Sequence, residues 1–260
     1  MTGWWQALAQ RRRAAALTRR AIPDRLWHAT LAQLPFLSAW PAEVLARLRT
    51  LASLFLDRKE FTGAGGFVVD DGVALSIALQ ACLPILELGI DQYDDFIGIV
   101  VHADSVVAQR TATDEDGIVH QYEEVLAGEA MEGGPVMLSW ADAAADAHAG
   151  EGQAAFNVVI HEFAHVLDLR DGVADGVPLL AGAREREAWR SELLPAYDWF
   201  CERTVCGHAS SVDAYGAEGP DEFFAVATET FFVRPRALRE EQPALYRLLS
   251  GYYRQDPAAY

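Results

Sequence analysis

Read for the spacing of its apolar positions, the chain begins as helix. Residues 4 to 21 read as an exposed amphipathic or frayed helix whose arginines form a solvated face, until Ile22-Pro23 breaks it. From Leu26 to Phe55 the helical spacing returns. Pro35 and Pro41 divide that segment into two or three helices, with Ser38 or Pro41 opening the last. Lys59 to Gly66 is rich in glycine but lacks the Gly-Lys-Ser/Thr ending of a phosphate loop, so it reads as a connection. The apolar run from Val73 to Leu88 predicts a buried helix. Ser76, Gln80, Pro84 and Glu87 interrupt it and leave it short of a bilayer span.

The pattern then changes to that of strands. Phe96 to His102, Ser105 to Gln109 and Ile118 to Val125 are rich in β-branched residues and predict strands of one small sheet. Gly133 to Trp140 predicts another, opened by Pro135, which suits an edge position. It stands directly before a loop at 141–152, so this edge is either a plain sheet edge or one that binds an extended peptide through main-chain hydrogen bonds. Helical spacing returns at Val158 to Leu169, with Asp171-Gly172 supplying a left-handed C-terminal cap. A helix from Gly182 to Cys201 follows, its charged face of Arg184, Glu185, Arg186 and Glu187 solvated. After a turn at Asp213 to Gly216, the last strong helix opens at Pro220, where proline is tolerated and the acidic pair Asp221-Glu222 suits the helix dipole.

With 260 residues, 51% of them hydrophobic, the chain can bury a large core as one big domain or two small ones. A formal charge of −17 argues against a nucleic-acid partner, whose phosphates this surface would repel. Cys82, Cys201 and Cys206 are odd in number and poorly spaced, so neither a disulfide framework nor a thiolate metal site follows. No apolar core of signal-peptide length follows the arginines of the first twenty residues, and the chain reads as cytoplasmic, with no membrane span.

The chemistry concentrates in Asn157-Val158-Val159-Ile160-His161-Glu162-Phe163-Ala164-His165-Val166-Leu167-Asp168-Leu169. On a helix, His161 and His165 lie on one face about 6 Å apart along the axis, so both imidazoles can reach one metal ion. Neutral imidazole is a good zinc ligand, and Glu162 stands where a general base for a metal-activated water would be needed. Downstream, Glu222 and Glu229 are seven residues apart on one helix face, and either can complete a two-histidine, one-carboxylate set. Asp168 can orient a ligand histidine or simply anchor a loop. On the residues alone, Tyr215 is a turn tyrosine.

From Trp140 through Phe232 the chain resembles the Mlc titration factor A family of zinc metallopeptidases, in Pro135-Val136-Met137-Leu138-Ser139-Trp140 followed by His161-Glu162-Phe163-Ala164-His165. Gln80-Ala81-Cys82 is similar to the family's buried helix and Tyr252-Tyr253-Arg254-Gln255-Asp256-Pro257 to its C-terminal end, so the likeness covers most of the chain. In that family, and in the similar catalytic domain of anthrax lethal factor, the third ligand directly precedes a phenylalanine-rich helix start. The resemblance therefore implies Glu222 as ligand, and Tyr215, seven residues earlier, as a donor to the oxyanion or the leaving amine. It also implies a cytoplasmic peptidase for peptide or protein substrates, leaving endopeptidase or aminopeptidase action open, and a link to a sugar-uptake repressor. The alternative is a zinc-containing protein that mainly sequesters such a transcriptional repressor. The fold expected is α+β: a zincin-like metallopeptidase domain at 57–260 with a small mixed sheet and an active-site helix, preceded by a helical N-terminal extension at 1–56, the two forming one compact unit.

Overall fold

Helices do build the first part of the chain in the computed structural model, which describes residues 2–113, 119–146 and 155–260. Helix α1 spans Thr2–Arg19 and α2 spans Asp24–Leu31, with Pro23 at its N-cap. Pro41, not Ser38, precedes the long α3 (Ala42–Arg58), because its fixed φ and missing N–H suit the first turn of a helix. Leu48, Leu51, Leu54 and Phe55 bury the inner face of α3.

Strand β1 (Glu60–Gly63) occupies the stretch expected to be a connection. Four residues carry too little periodicity to announce a strand, and the pairing with β2 (Gly98–His102) creates it. Lys59, the chain's single lysine, seats this strand by donating to the backbone carbonyls of Tyr93 and Phe96, its ammonium 3.6 Å from the Phe96 ring centroid. Burial pulls its pKa down to about 8. Helix α4 covers only Asp71–Cys82, shorter than the expected 73–88. Asp70 caps it by accepting from the Val73 N–H at 2.9 Å, and Pro84 disfavours helix at Leu83 and beyond.

The expected single sheet is in fact two. β3 (Val106–Thr113) and β4 (Val119–Leu126) form a separate antiparallel pair. Ile118, expected to open β4, lies outside the described residues, as do residues 147–152 of the expected loop. The main sheet has the order β1-β2-β6-β5, where β5 is Gly128–Ala130 and β6 is Val136–Ser139. β1, β2 and β6 run parallel, with Ile99 opposite Val136, and β5 is antiparallel, with Ala130 opposite Val136. Strand β6 is thus interior and buried along its length, and not the edge that Pro135 suggested. The proline stands one residue before the ladder, where its missing N–H costs nothing. The edge on that side of the sheet is β5.

The remaining elements are helices: α5 (Trp140–Asp146), α6 (Val158–Asp168), α7 (Ala183–Val205), α8 (Pro220–Val233), α9 (Pro235–Glu241) and α10 (Pro243–Tyr253). Helix α6 packs against both α4 and α8. Its Phe163 sits among Tyr93, Phe55 and Phe96 with ring centroids at 5.0, 5.6 and 5.9 Å. That aromatic cluster ties the N-terminal helices to the metal-motif helix through one continuous core. Among the described residues no helix is long and apolar enough to cross a membrane.

Candidate metal centre

Asn157 starts the helix that carries the motif. Its Oδ1 accepts from the Ile160 N–H at 2.9 Å, the N-cap interaction, and its Nδ2 donates to Gln80 Oε1 of α4 at 2.6 Å. The helix continues as a single turn over Leu169–Asp171 and ends at Gly172, whose φ of 88° is the left-handed cap expected from Asp171-Gly172.

His161 and His165 project from one face of α6, their Nε2 atoms 3.1 Å apart. Glu222, on the first turn of α8, brings Oε2 to 3.1 Å from His161 Nε2 and 3.4 Å from His165 Nε2, in directions that leave this buried oxygen without a hydrogen bond. Three ligand atoms at about 2.0–2.1 Å from a tetrahedral ion stand about 3.3 Å from one another. The spacing and the unsatisfied oxygen therefore fit a metal ion held by His161, His165 and Glu222.

The electrostatics point the same way. Burial disfavours a charged His161, but Glu222 and Glu229 outweigh it and raise the imidazole's pKa well above its usual value. Glu222 would be raised by burial too, yet the two imidazoles beside it hold it down to about 2. A field that favours a proton there favours a metal cation in its place.

Glu229, the other carboxylate on that face, does a different job. Its Oε1 lies 2.8 Å from His161 Nδ1, while its Oε2 accepts from the Asn157 backbone N–H. Fully buried, it is positioned by α8 to hold the Nδ1 side of the ring and turn Nε2 toward the ligand cluster. Spacing alone could not separate the two glutamates, since both share the inner face of α8. Asp168, the residue that could have oriented a histidine, anchors a loop, its Oδ2 accepting from the Gly176 N–H at 2.9 Å.

Glu162 is buried between α6 and the edge strand. Burial raises its carboxyl pKa, opposed by His161 and His165, and the Ala130 backbone N–H of β5 donates to it. Gly128 lies against it: a Cβ there would come within 2.5 Å of Glu162 Cγ. Neither Gly128 nor Ala130 is legible as a site residue, because a three-residue strand carries no periodicity. Tyr215 sits in the short turn Ala214–Ala217, fixed by Asp213 Oδ1 accepting from its N–H at 2.9 Å, with its ring 6.0 Å from that of His161. His161, Glu162, His165, Tyr215 and Glu222 together line a cleft of about 250 Å³, walled on the sheet side by Gly128, Glu129 and Ala130. All five residues expected from the sequence thus come together.

Comparison with known proteins gives the chain a family. Residues 8–254 match the family model described as glucose-regulated metallo-peptidase M90. A Mlc titration factor A of Salmonella gallinarum is 37% identical over 238 residues, covering 90% of this chain and 88% of the relative. One from Enterobacter is 37% identical over 240 residues. An uncharacterized protein of Synechocystis is 35% identical over 247 residues, or 94% of this chain and 89% of its own length. With nearly its whole length matched and a metal-ligand cluster at its heart, the chain belongs to the M90 family of glucose-regulated metallopeptidases.

Proposed function

We propose that the protein is a zinc-dependent peptidase whose metal is held by His161, His165 and Glu222. Two imidazoles and one carboxylate suit zinc and leave one coordination position for water or substrate. When bound there, the metal supplies Lewis-acid polarisation of the scissile carbonyl and lowers the pKa of water. The chain's own residues do the rest. Glu162 takes the proton of the attacking water and passes it to the leaving nitrogen; its raised pKa suits a group that must both accept and return a proton. Tyr215, at the mouth of the cleft, donates to the oxyanion, and Glu229 holds His161 in place. Strand β5, at the edge of the sheet next to Glu162, is the main-chain rail for an extended substrate, in place of the 135–140 stretch expected from the sequence.

The observation that carries this reading is that Glu162 lines the same cleft as the three residues that could hold a metal ion. A peptide-library digest with and without chelator, read by mass spectrometry, tests it. Glu162→Gln is expected to lower hydrolysis by about 10²- to 10⁴-fold while bound zinc, measured by elemental analysis, stays at one per chain. Cleavage that survives both chelator and Glu222→Gln would sink the mechanism.

A second reading follows from the name Mlc titration factor A carried by the Salmonella and Enterobacter relatives: this chain, too, binds a transcriptional repressor. Pull-down with wild-type and Glu162→Gln protein separates the two activities. Binding retained in both, with hydrolysis at background in both, makes the protein a titrating factor and not a peptidase.

A further inference from the structure

A second cavity, of about 450 Å³, opens beside the catalytic cleft and shares Leu169 with it as a wall. The two follow the same elements. Helix α6 lines the cleft with His165 and the second cavity with the next residue, Val166; β5 lines the cleft with Ala130, and Met131 directly after it lines the cavity. The floor is apolar, made by Phe96, Met131, Val136, Val166 and Leu169. The rim is acidic. Of its charged groups, Arg170 is already engaged, with Asp95 at 3.3 Å and with Gln92. Glu132 and Asp171 pair with no arginine, lysine or histidine among the described residues. Asp171 Oδ1 accepts only from the Val173 N–H at 3.3 Å.

We propose that this cavity is a specificity pocket for one basic side chain of the substrate, arginine above all. This rests on the peptidase reading of the neighbouring cleft. An arginine stem would lie on Val166, Leu169 and Met131 while its guanidinium reaches the two rim carboxylates, the division of labour that long cationic side chains favour. Both rim residues are exposed, so an aliphatic occupant would gain nothing from them and an acidic one would be repelled. Met131, unbranched and half exposed, can adapt its shape to the stem. From His165 to Leu169 is one helical turn, about 6 Å, which an extended substrate covers in about two residues. The basic residue therefore sits one or two positions from the scissile bond.

Fluorescein-labelled alanine-glycine hexapeptides, carrying arginine, glutamine or glutamate at each position in turn, are titrated by anisotropy into zinc-loaded Glu162→Gln protein. The same titrations are run with the Glu132→Gln/Asp171→Asn changes added, after zinc content and unfolding midpoint have shown that fold intact. Arginine is expected to bind about tenfold or more tightly than glutamine at one position, with the advantage lost in the rim variant. No position favouring arginine, or a preference that survives the rim changes, overturns the pocket. Chelator-sensitive hydrolysis by wild-type protein is measured on the same peptides. Hydrolysis without a basic preference removes the pocket and leaves the peptidase; an arginine preference in binding without hydrolysis removes the peptidase and leaves the pocket.

Discussion

A single methyl group at Gly128 would meet the carboxylate of Glu162. Because the Cβ would come within 2.5 Å of Glu162 Cγ, Gly128→Ala must push that side chain out of place or move β5. The expected result is loss of most hydrolysis, on the order of 10²-fold, with zinc content unchanged, since the three ligands are untouched. Retained zinc and a normal circular-dichroism spectrum are the controls. Asp168 makes a pH prediction. Burial raises its carboxyl from 3.8 to about 7, the Gly176 N–H opposing. Between those values the folded chain holds a proton that the unfolded chain has lost, so this group's contribution to stability falls as pH rises through the window and is level above it. Asp168→Asn, which cannot titrate but can still accept from Gly176, should therefore gain on wild type by a few kcal/mol between about pH 4 and pH 7. Urea unfolding of the metal-free proteins at successive pH values measures that difference; parallel curves would refute the assignment.

At the scale of elements, the site depends on how α6 starts. Asn157 caps the helix, offers its backbone N–H to Glu229, and ties the helix to Gln80 of α4, so one residue fixes where His161 begins its turn. Asn157→Ala loses the cap, about 1 kcal/mol, and leaves the buried Gln80 Oε1 without its donor, for a total of about 2–4 kcal/mol. Chemical denaturation should show that loss. The backbone N–H that Glu229 accepts from is retained in this variant, so any weakening of zinc affinity would report how far the uncapped first turn has moved His161. The opposite wall is less secure: β5 is three residues long and, among the described residues, pairs with β6 alone. A short edge strand of that kind has too few backbone groups to attract a wrong partner, and the Ala130 N–H is already given to Glu162.

For the whole molecule, metal and fold are expected to be linked. The ligands come from α6 and α8, two helices far apart in sequence, so an ion that binds only the native chain stabilises it by about 3–4 kcal/mol at a hundred to a thousand times its dissociation constant. Chelation should then lower the midpoint of thermal unfolding by about 5–15 °C. His165→Ala should start near the lower value and not respond to chelator. A midpoint in wild type that ignores chelator would mean that no ion is held there. The net charge of −17 acts at this scale as well, since it favours approach of basic peptides over acidic ones and agrees with the acidic rim of the second cavity.

The pairing of His161 and His165 beside Glu162 was legible because it is local: a helix of 3.6 residues per turn puts positions 161 and 165 on one face wherever it packs. Helix breaks at Pro23, Pro41 and Gly172 were legible for the same reason, each set by the backbone preferences of one residue. What spans the chain was not. Whether Glu222 or Glu229 meets the ligand cluster depends on how α8 lies against α6, and two glutamates seven apart on one face look alike until that packing is known. The role of β6 as an interior strand, and of β5 as the edge beside Glu162, depends on pairings between segments that carry no mark of their partners. The chain alone thus determined which chemistry was available and on which helix it stood. The tertiary structure decided which carboxylate stands beside the two histidine Nε2 atoms, which lies against Nδ1 of His161, and which strand borders Glu162, because those are questions of distance between elements that local sequence does not encode.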